Sequence, residues 1–347
     1  MQSLERIRGV IAGKPVDHLP AQPVIMMFAA KHAGMKYIDY TRDGLLMAAA
    51  QLRLVEDFGV DCLLTCSDPA REVIDIAGEG SVIWYEDQGP AINEAKAALT
   101  DKSRLKQFRV PDPVAKGRMY DRIRGIEMMR REAGPDVSIV GWVEGPLALA
   151  AELRGINRVM LDMVDDPGFV GDLLDFCVEV AKPYAQAQIA AGADTIGMSD
   201  AAACMMGPER YAQFLNSRQE RVLESIKSSH PEVITRLHMC GKTDPLIAMM
   251  GQLPADIIEL DYPTGLAAAR KTLGPRRVVL GNVSTVTDLL EGTPERVYEA
   301  ARACHKTCGA YHVVGSGCEV SPRTPPENLR ALLAYAQEHK PQEYEVV

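Results

Sequence analysis

Short apolar runs alternate with longer stretches of helical spacing along the chain. The runs are PVIMMF (23–28), CLLTC (62–66), VSIVGWV (137–143), TIGM (195–198), VITRL (233–237), DIIEL (256–260), RVVL (277–280) and YHVV (311–314). Runs this short and this uniformly apolar predict strands buried on both faces, as parallel strands are. Between them, apolar positions recur at helical spacing over 44–58, 167–191, 207–228, 243–253, 293–308 and 325–339, and several of these stretches open on Pro or Thr. Parallel neighbours need a crossover, so strand and helix alternating eight times predict an α/β fold of the (βα)8 TIM-barrel type. An open doubly wound sheet gives a similar alternation and is the alternative. Residues 69–116 break the rhythm and read as an insertion after the second strand of a single barrel domain spanning 1–347.

In a barrel the chemistry collects on the loops that follow the strands. Behind the expected strands come His32, Asp68, Glu144, Asp200, the pair His238 and Cys240, the group Glu259, Asp261 and Tyr262, then Asn282, and last Cys318 with Glu319. Side chains alternate along a strand, so His238 and Cys240 project the same way, and Gly241 lets the backbone turn off at once. The fifth and eighth strands of a closed barrel face each other across its mouth, which brings Cys318 within reach of the same point. One imidazole and two thiols suit Zn²⁺, whose catalytic sites keep three protein ligands and one free position; they are too soft a set for magnesium or calcium. A plainer reading also stands, because cysteine is among the most buried residue types. Cys62, Cys66, Cys177 and Cys204 lie in apolar surroundings, and Cys304 and Cys308 fall one helical turn apart, as packing residues do.

Composition narrows the classes. The chain of 347 residues is 47% hydrophobic and 24% charged, which is ordinary for a folded globular protein. Its formal charge of -9 argues against nucleic acid as a partner, since such binding needs clustered Lys and Arg. The first twenty residues carry charges throughout, unlike a signal peptide, and no run is long enough to span a membrane, so a cytoplasmic protein without membrane contact is expected. In that compartment eight cysteines predict core residues, ligands or nucleophiles, not disulfides.

LHMCGKTDPL (237–246), GNVSTV (281–286) and GSGCEVSPRTPPENLRAL (315–332), with GWVEGPLALAAELRG (141–155) in the middle of the chain, resemble the uroporphyrinogen decarboxylase superfamily. Within it the resemblance is to the zinc- and corrinoid-dependent methyltransferase branch, of the methylcobamide:coenzyme M and O-demethylase type. It implies a zinc ion on His238, Cys240 and Cys318, with methyl moving between a methoxyarene, methylamine or thiol and the cobalt of a corrinoid. No D-x-H-x-x-G corrinoid signature is present, so the cobalamin is expected on a separate corrinoid-binding protein. The branch also implies a carboxylate from the sixth strand as a fourth ligand; Glu259 is the first candidate and Asp261 the second, with Tyr262 standing where another acid would be expected. Asp200, Glu144 and Asn282 are candidates to orient ligands or substrate, His32 to touch substrate, and Glu319 and Arg323 to cap the helix near Pro325. Met26, Met27, Met205 and Met206 read as adaptable packing. The alternative function is a porphyrinogen decarboxylase. Against it, the decarboxylases carry an arginine-rich segment after the first strand, where this chain has MMFAAKHAGMKY with Lys31 as the only cation before Lys36.

Overall fold

The computed structural model describes residues 1–344. Seven strands form one parallel sheet: β1 (Leu63–Leu64), β4 (Ile139–Glu144), β5 (Thr195–Ser199), β6 (Ile234–Met239), β7 (Ile257–Leu260), β8 (Val278–Leu280) and β9 (His312–Val313). Their order across the sheet follows their order in the chain. That winding runs one way around a barrel-like fold, whereas a doubly wound sheet reverses its order in the middle. Two more strands, β2 (Val82–Ile83) and β3 (Ala91–Ile92), pair antiparallel in a hairpin outside the sheet. The hairpin lies between β1 and the helix Arg118–Ala133, together with the helix Ala70–Ala77.

The strand expected at 23–28 does not form. Isolated parallel bridges join Ala21 to Val314 and Val24 to Glu319, and Asp61 N donates to Ala21 O at 2.9 Å. These contacts set the segment between β9 and β1, where an eighth strand would stand. Pro20 and Pro23 have no N–H for a ladder, and the chain then turns into the helix Met27–His32. The Met27 amide there donates to Glu319 Oε1 at 2.7 Å, so Glu319 holds the start of this helix and not the one near Pro325.

Four helices lie within a residue of the expected spans: Gly44–Phe58, Pro294–Cys308, Pro326–Glu338 and Pro167–Ala190. Thr293 caps the second of these, with Pro294 in the first turn, where a missing N–H costs nothing. The stretch 207–228 is helical but is interrupted by a wider turn at Tyr211–Leu215. The stretch 243–253 shortens to a 3₁₀ turn and the single turn Ile247–Met250.

Strand alternation sorts side chains into an outer layer against the helices and an inner one inside the sheet. Leu237, Met239, Ile258, Leu260 and Val279 join the main core beneath the helices. Inside, Ile234, Ile257, Val278, Leu280 and Val313 close the lower end against Leu4, Ile7 and Val10 of the helix Ser3–Ile11. Higher up, Val24, Cys62, Leu64, Cys66, Val140 and Trp142 pack together. Above this floor, at the C-terminal strand ends, the inner side chains become polar. No described helix is long and apolar enough to cross a membrane.

Candidate metal centre

Strand β6 places Ile234, Arg236 and His238 on its inner face, each one step further up the interior. His238 ends that series, and Cys240 follows on the first residue of the loop. Gly241 takes φ of 78°, the left-handed region, and a side chain there would meet Cys204 Sγ at 2.9 Å. Its amide donates to Asp261 Oδ2 at 2.6 Å, and Tyr262 N donates to Asp261 Oδ1 at 2.7 Å. Cys318 arrives on the loop after β9, just beyond Gly317. A Cβ on Gly317 would lie 2.4 Å from Tyr262 N and 2.9 Å from Asp261 Oδ1, so the absence of a side chain is what lets this loop close in. Asp261 thus sits where the two donor loops meet, with Asn282 beside it, whose Nδ2 donates to Asp261 O at 3.1 Å and Thr264 O at 3.0 Å.

The three donors converge. His238 Nε2 is 3.0 Å from Cys240 Sγ, the two sulfurs are 3.5 Å apart, and Cys318 Sγ is 3.9 Å from His238 Nε2. Tetrahedral zinc with Zn–S of about 2.3 Å and Zn–N of about 2.0 Å spaces two sulfurs by about 3.8 Å and a sulfur and nitrogen by about 3.5 Å. Each spacing agrees to within about half an ångström, so the residues present fit the ion. Among the described residues no other three His, Cys, Asp or Glu donors come together this way. Hydrogen bonds from Cys240 and His238 pull the Cys318 thiol down to about 4 against its burial, while the same contact pushes Cys240 up. A divalent cation held by these donors would take the place of their protons.

Glu259 does not join the trio. Register pairs it with His238 across β6 and β7, one layer inside the site. Its Oε2 accepts from Arg236 Nε and its Oε1 from Arg236 Nη2, both at 2.6 Å, and His238 Nδ1 lies 3.2 Å from Oε2. Burial pushes the Glu259 carboxyl up, but Arg236 and His238 outweigh it and hold it at about 2. A carboxylate behind Nδ1 favours a proton on that nitrogen, which would leave Nε2 to face a metal held with the sulfurs. Arg236 in turn lies over Trp142, 5.5 Å from the ring centre. The oxygens of Glu259 and Asp261 already accept hydrogen bonds, and only the three donors His238, Cys240 and Cys318 draw together, with both sulfurs half-buried.

The remaining candidates separate. Tyr262 stands at the rim, 42% exposed. Asp200 is buried, accepting from Ala148 N at 2.8 Å and Gln219 Nε2 at 2.7 Å, which anchors the start of the helix Pro146–Arg154; burial lifts it to about 6. Glu144 faces inward at the height of His238 and receives Arg71 Nη2 at 3.0 Å; burial raises it to about 8 in spite of that cation. His32 is not brought to the site. Its Nε2 meets Asp57 at 2.7 Å and its ring packs between Phe28 and Phe58, because it lies on the helix that replaced the first strand.

Sequence reading missed the buried charges around the mouth. Arg71 and Arg122 are fully buried and Arg118 nearly so. Arg118 Nη2 donates to Asp68 Oδ2 at 2.7 Å, Arg71 also bonds the Asp68 carbonyl, and both Arg118 and Arg122 bond Thr41 O. No spacing in the sequence announced this set, because its members come from separate elements. Arg236 did carry a signal: two residues before His238 on the same strand, it had to share the inner face.

An α/β barrel-like fold with an imidazole and two thiols gathered at its strand ends defines a class of proteins with a soft-donor metal site in the barrel mouth. The sequence matches the uroporphyrinogen decarboxylase (URO-D) family over residues 2–339, and the chain belongs to that family. Within it the chain sides with the methyltransferases. It is 32% identical over 231 residues to the methylcobamide:CoM methyltransferase MtaA of Methanosarcina barkeri, a stretch covering 66% of each protein. It is also 28% identical over 345 residues, 96% of each protein, to the uroporphyrinogen decarboxylase of Nostoc sp.. In fold it is similar to a solved methyltransferase from Methanosarcina mazei, with a TM-score of 0.88, 24% identity, and 97% of this chain and 99% of that one covered.

Proposed function

We propose that the chain is a zinc-dependent methyltransferase that moves a methyl group between a small substrate held in the barrel mouth and the cobalt of a corrinoid on a partner protein. The observation that carries this is the convergence of His238, Cys240 and Cys318, three donors where a closed structural zinc site would need four. The likeness to proteins named methylcobamide:CoM methyltransferases supports the same reading.

When bound, zinc would supply a Lewis acid that keeps a substrate thiol as thiolate or polarises an ether oxygen. The chain's own residues do the rest. His238, Cys240 and Cys318 hold the ion, Glu259 with Arg236 behind it fixes the imidazole, and Asp261 keeps the two donor loops in register. Tyr262, exposed beside the Cys318 loop, is placed to touch substrate or the docking partner. The substrate is a methoxyarene, a methylamine or a thiol. A cytoplasmic location accords with the reduced cysteines this site requires.

Against the decarboxylase alternative stands the placement of the arginines. Arg71, Arg118 and Arg122 are buried and engaged by Asp68, Glu144 and Thr41, not offered to a ligand bearing many carboxylates. Metal analysis of protein purified without chelator is the test. About one equivalent of zinc is expected, lost in His238→Ala and Cys318→Ala together with methyl transfer to cob(I)alamin or from methylcob(III)alamin. Activity on porphyrinogen that survives both substitutions would sink the reading.

A further inference from the structure

A cavity of about 250 Å³ opens beside the mouth, between the helix Pro146–Arg154, the turn after β5 and the hairpin. Three carboxylates line it, Glu94, Glu144 and Glu152, and the remaining lining is Pro, Ala and Ile, with no Lys or Arg. Glu94 receives Asn157 at 3.1 Å, and Glu144 receives Arg71, a cation it shares with Glu72 at 3.6 Å. Glu152 has nothing. It lines the cavity, is 8% exposed, makes no hydrogen bond or ion pair among the described residues, and has its Oε2 sealed from solvent. A buried carboxyl without a partner is costly, and local rules of this kind are broken mainly where function requires it.

Carboxyl groups in surplus on otherwise apolar walls select a cation that carries apolar groups: burial holds Glu144 and Glu152 above the usual carboxylate range, and a cation between them would let them ionise. A metal ion does not fit, because the three carboxylates do not draw together as the thiols and imidazole do. An ion with methyl groups around nitrogen does, since Ala148, Ala151, Ile92 and Ile156 would meet the carbons while Glu152 and Glu144 meet the charge. At roughly 30 Å³ per water, the space holds several heavy atoms. Glu144, Ser199 and His238 share one register row across β4, β5 and β6, so at a strand spacing of about 4.8 Å the cavity begins about 10 Å from the trio.

We propose that this cavity is a binding site for a small alkylammonium ion, held by Glu152 and Glu144. A protonated methylamine, one of the substrates proposed above, is such an ion, but binding here is tested without methyl transfer and stands or falls apart from that reading.

Calorimetric titration of the full chain with tetramethylammonium chloride tests it, with tert-butanol as the uncharged mimic and sodium chloride at matched ionic strength. Saturable binding of the ammonium alone is expected, weakened about tenfold or more in Glu152→Gln. Thermal melting keeps that variant interpretable, because replacing an unpartnered buried carboxyl by an amide of the same shape should leave the melting temperature equal or higher. Ala151→Met, which fills the cavity from a half-buried position, should abolish binding too and serves if Glu152→Gln does not fold. Equal binding of tert-butanol, equal binding by Glu152→Gln, displacement by magnesium at matched ionic strength, or no saturation at all would each overturn the assignment. Zinc content, followed in the same samples, should not change in either variant, so a failure here is distinct from a failure at the metal trio.

Discussion

Replacing Glu259 by Gln removes one charge from beneath the metal trio while keeping the length of the side chain. In the wild type its oxygens take Arg236 twice at 2.6 Å and face His238 Nδ1 at 3.2 Å, and both Arg236 and Glu259 are fully buried. Two effects of different origin follow. Arg236 is left as a buried cation without its counter-charge, and breaking a buried pair from one side costs about 3–5 kcal/mol. His238 loses the carboxylate behind it, which should weaken metal binding by about 10–100-fold, or about 1.4–2.7 kcal/mol. The double variant Arg236→Met with Glu259→Gln separates the two, since it removes the stranded charge without restoring the carboxylate. Denaturant unfolding of metal-free protein should show stability falling in the single variant and returning most of the way in the double. Zinc affinity, measured by competition with a chromophoric chelator, should stay low in both. If the double variant regained wild-type zinc affinity, the carboxylate would be acting only through stability, and its role behind His238 would be refuted.

Gly317→Ala puts a methyl group 2.4 Å from Tyr262 N, so the Cys318 loop must back away from Cys240. It should lose about 1–3 kcal/mol of stability to overpacking and bind zinc more weakly; unchanged affinity by chelator competition would show that the loops do not need this contact. His312 gives the acid limb of the stability profile. Buried, with its Nε2 2.6 Å from Gly281 O and with His305 and Arg270 nearby, it is held down to about 3 mainly by desolvation. A depressed histidine contributes stability that is present above its unfolded value near 6.5 and lost as the pH falls toward 3, at up to about 1.4 kcal/mol per pH unit. Unfolding free energies between pH 7 and pH 5 should therefore fall by up to about 2 kcal/mol more in the wild type than in His312→Gln, which bonds Gly281 without titrating; parallel curves would refute the assignment.

How much of this was legible in the sequence depends on the range of the forces involved. The seven strands of the sheet fall where apolar runs predicted them, because burial on both faces leaves a continuous apolar signature that needs no knowledge of neighbours. The run at 23–28 carried the same signature and misled. Its prolines deny it a ladder, and Met26 and Met27 are apolar for a different reason, packing a short helix against the mouth. That one substitution of helix for strand also explains His32, which was expected at the rim and lies instead against Phe58 and Asp57.

The trio was legible for the opposite reason to the charges beside it. His238 and Cys240 are two residues apart, and a strand has only two faces, so their convergence followed from alternation alone; Cys318 needed only the geometry of a closed ring. The same alternation places Arg236 and His238 of β6 and Glu259 of β7 on the inner face, with Asp261 two residues further on, and the register pairs His238 with Glu259. Read together, the two rows predict that the acid nearest the histidine pairs with the arginine one step below. The set of Asp68, Arg71, Arg118 and Glu144 has no such periodic trace. Its partners lie up to 73 residues apart, on a loop, two helices and a strand. A compensated charge inside a barrel is decided by which elements meet there, and until the fold is known each of its arginines reads as a solvent-facing cation.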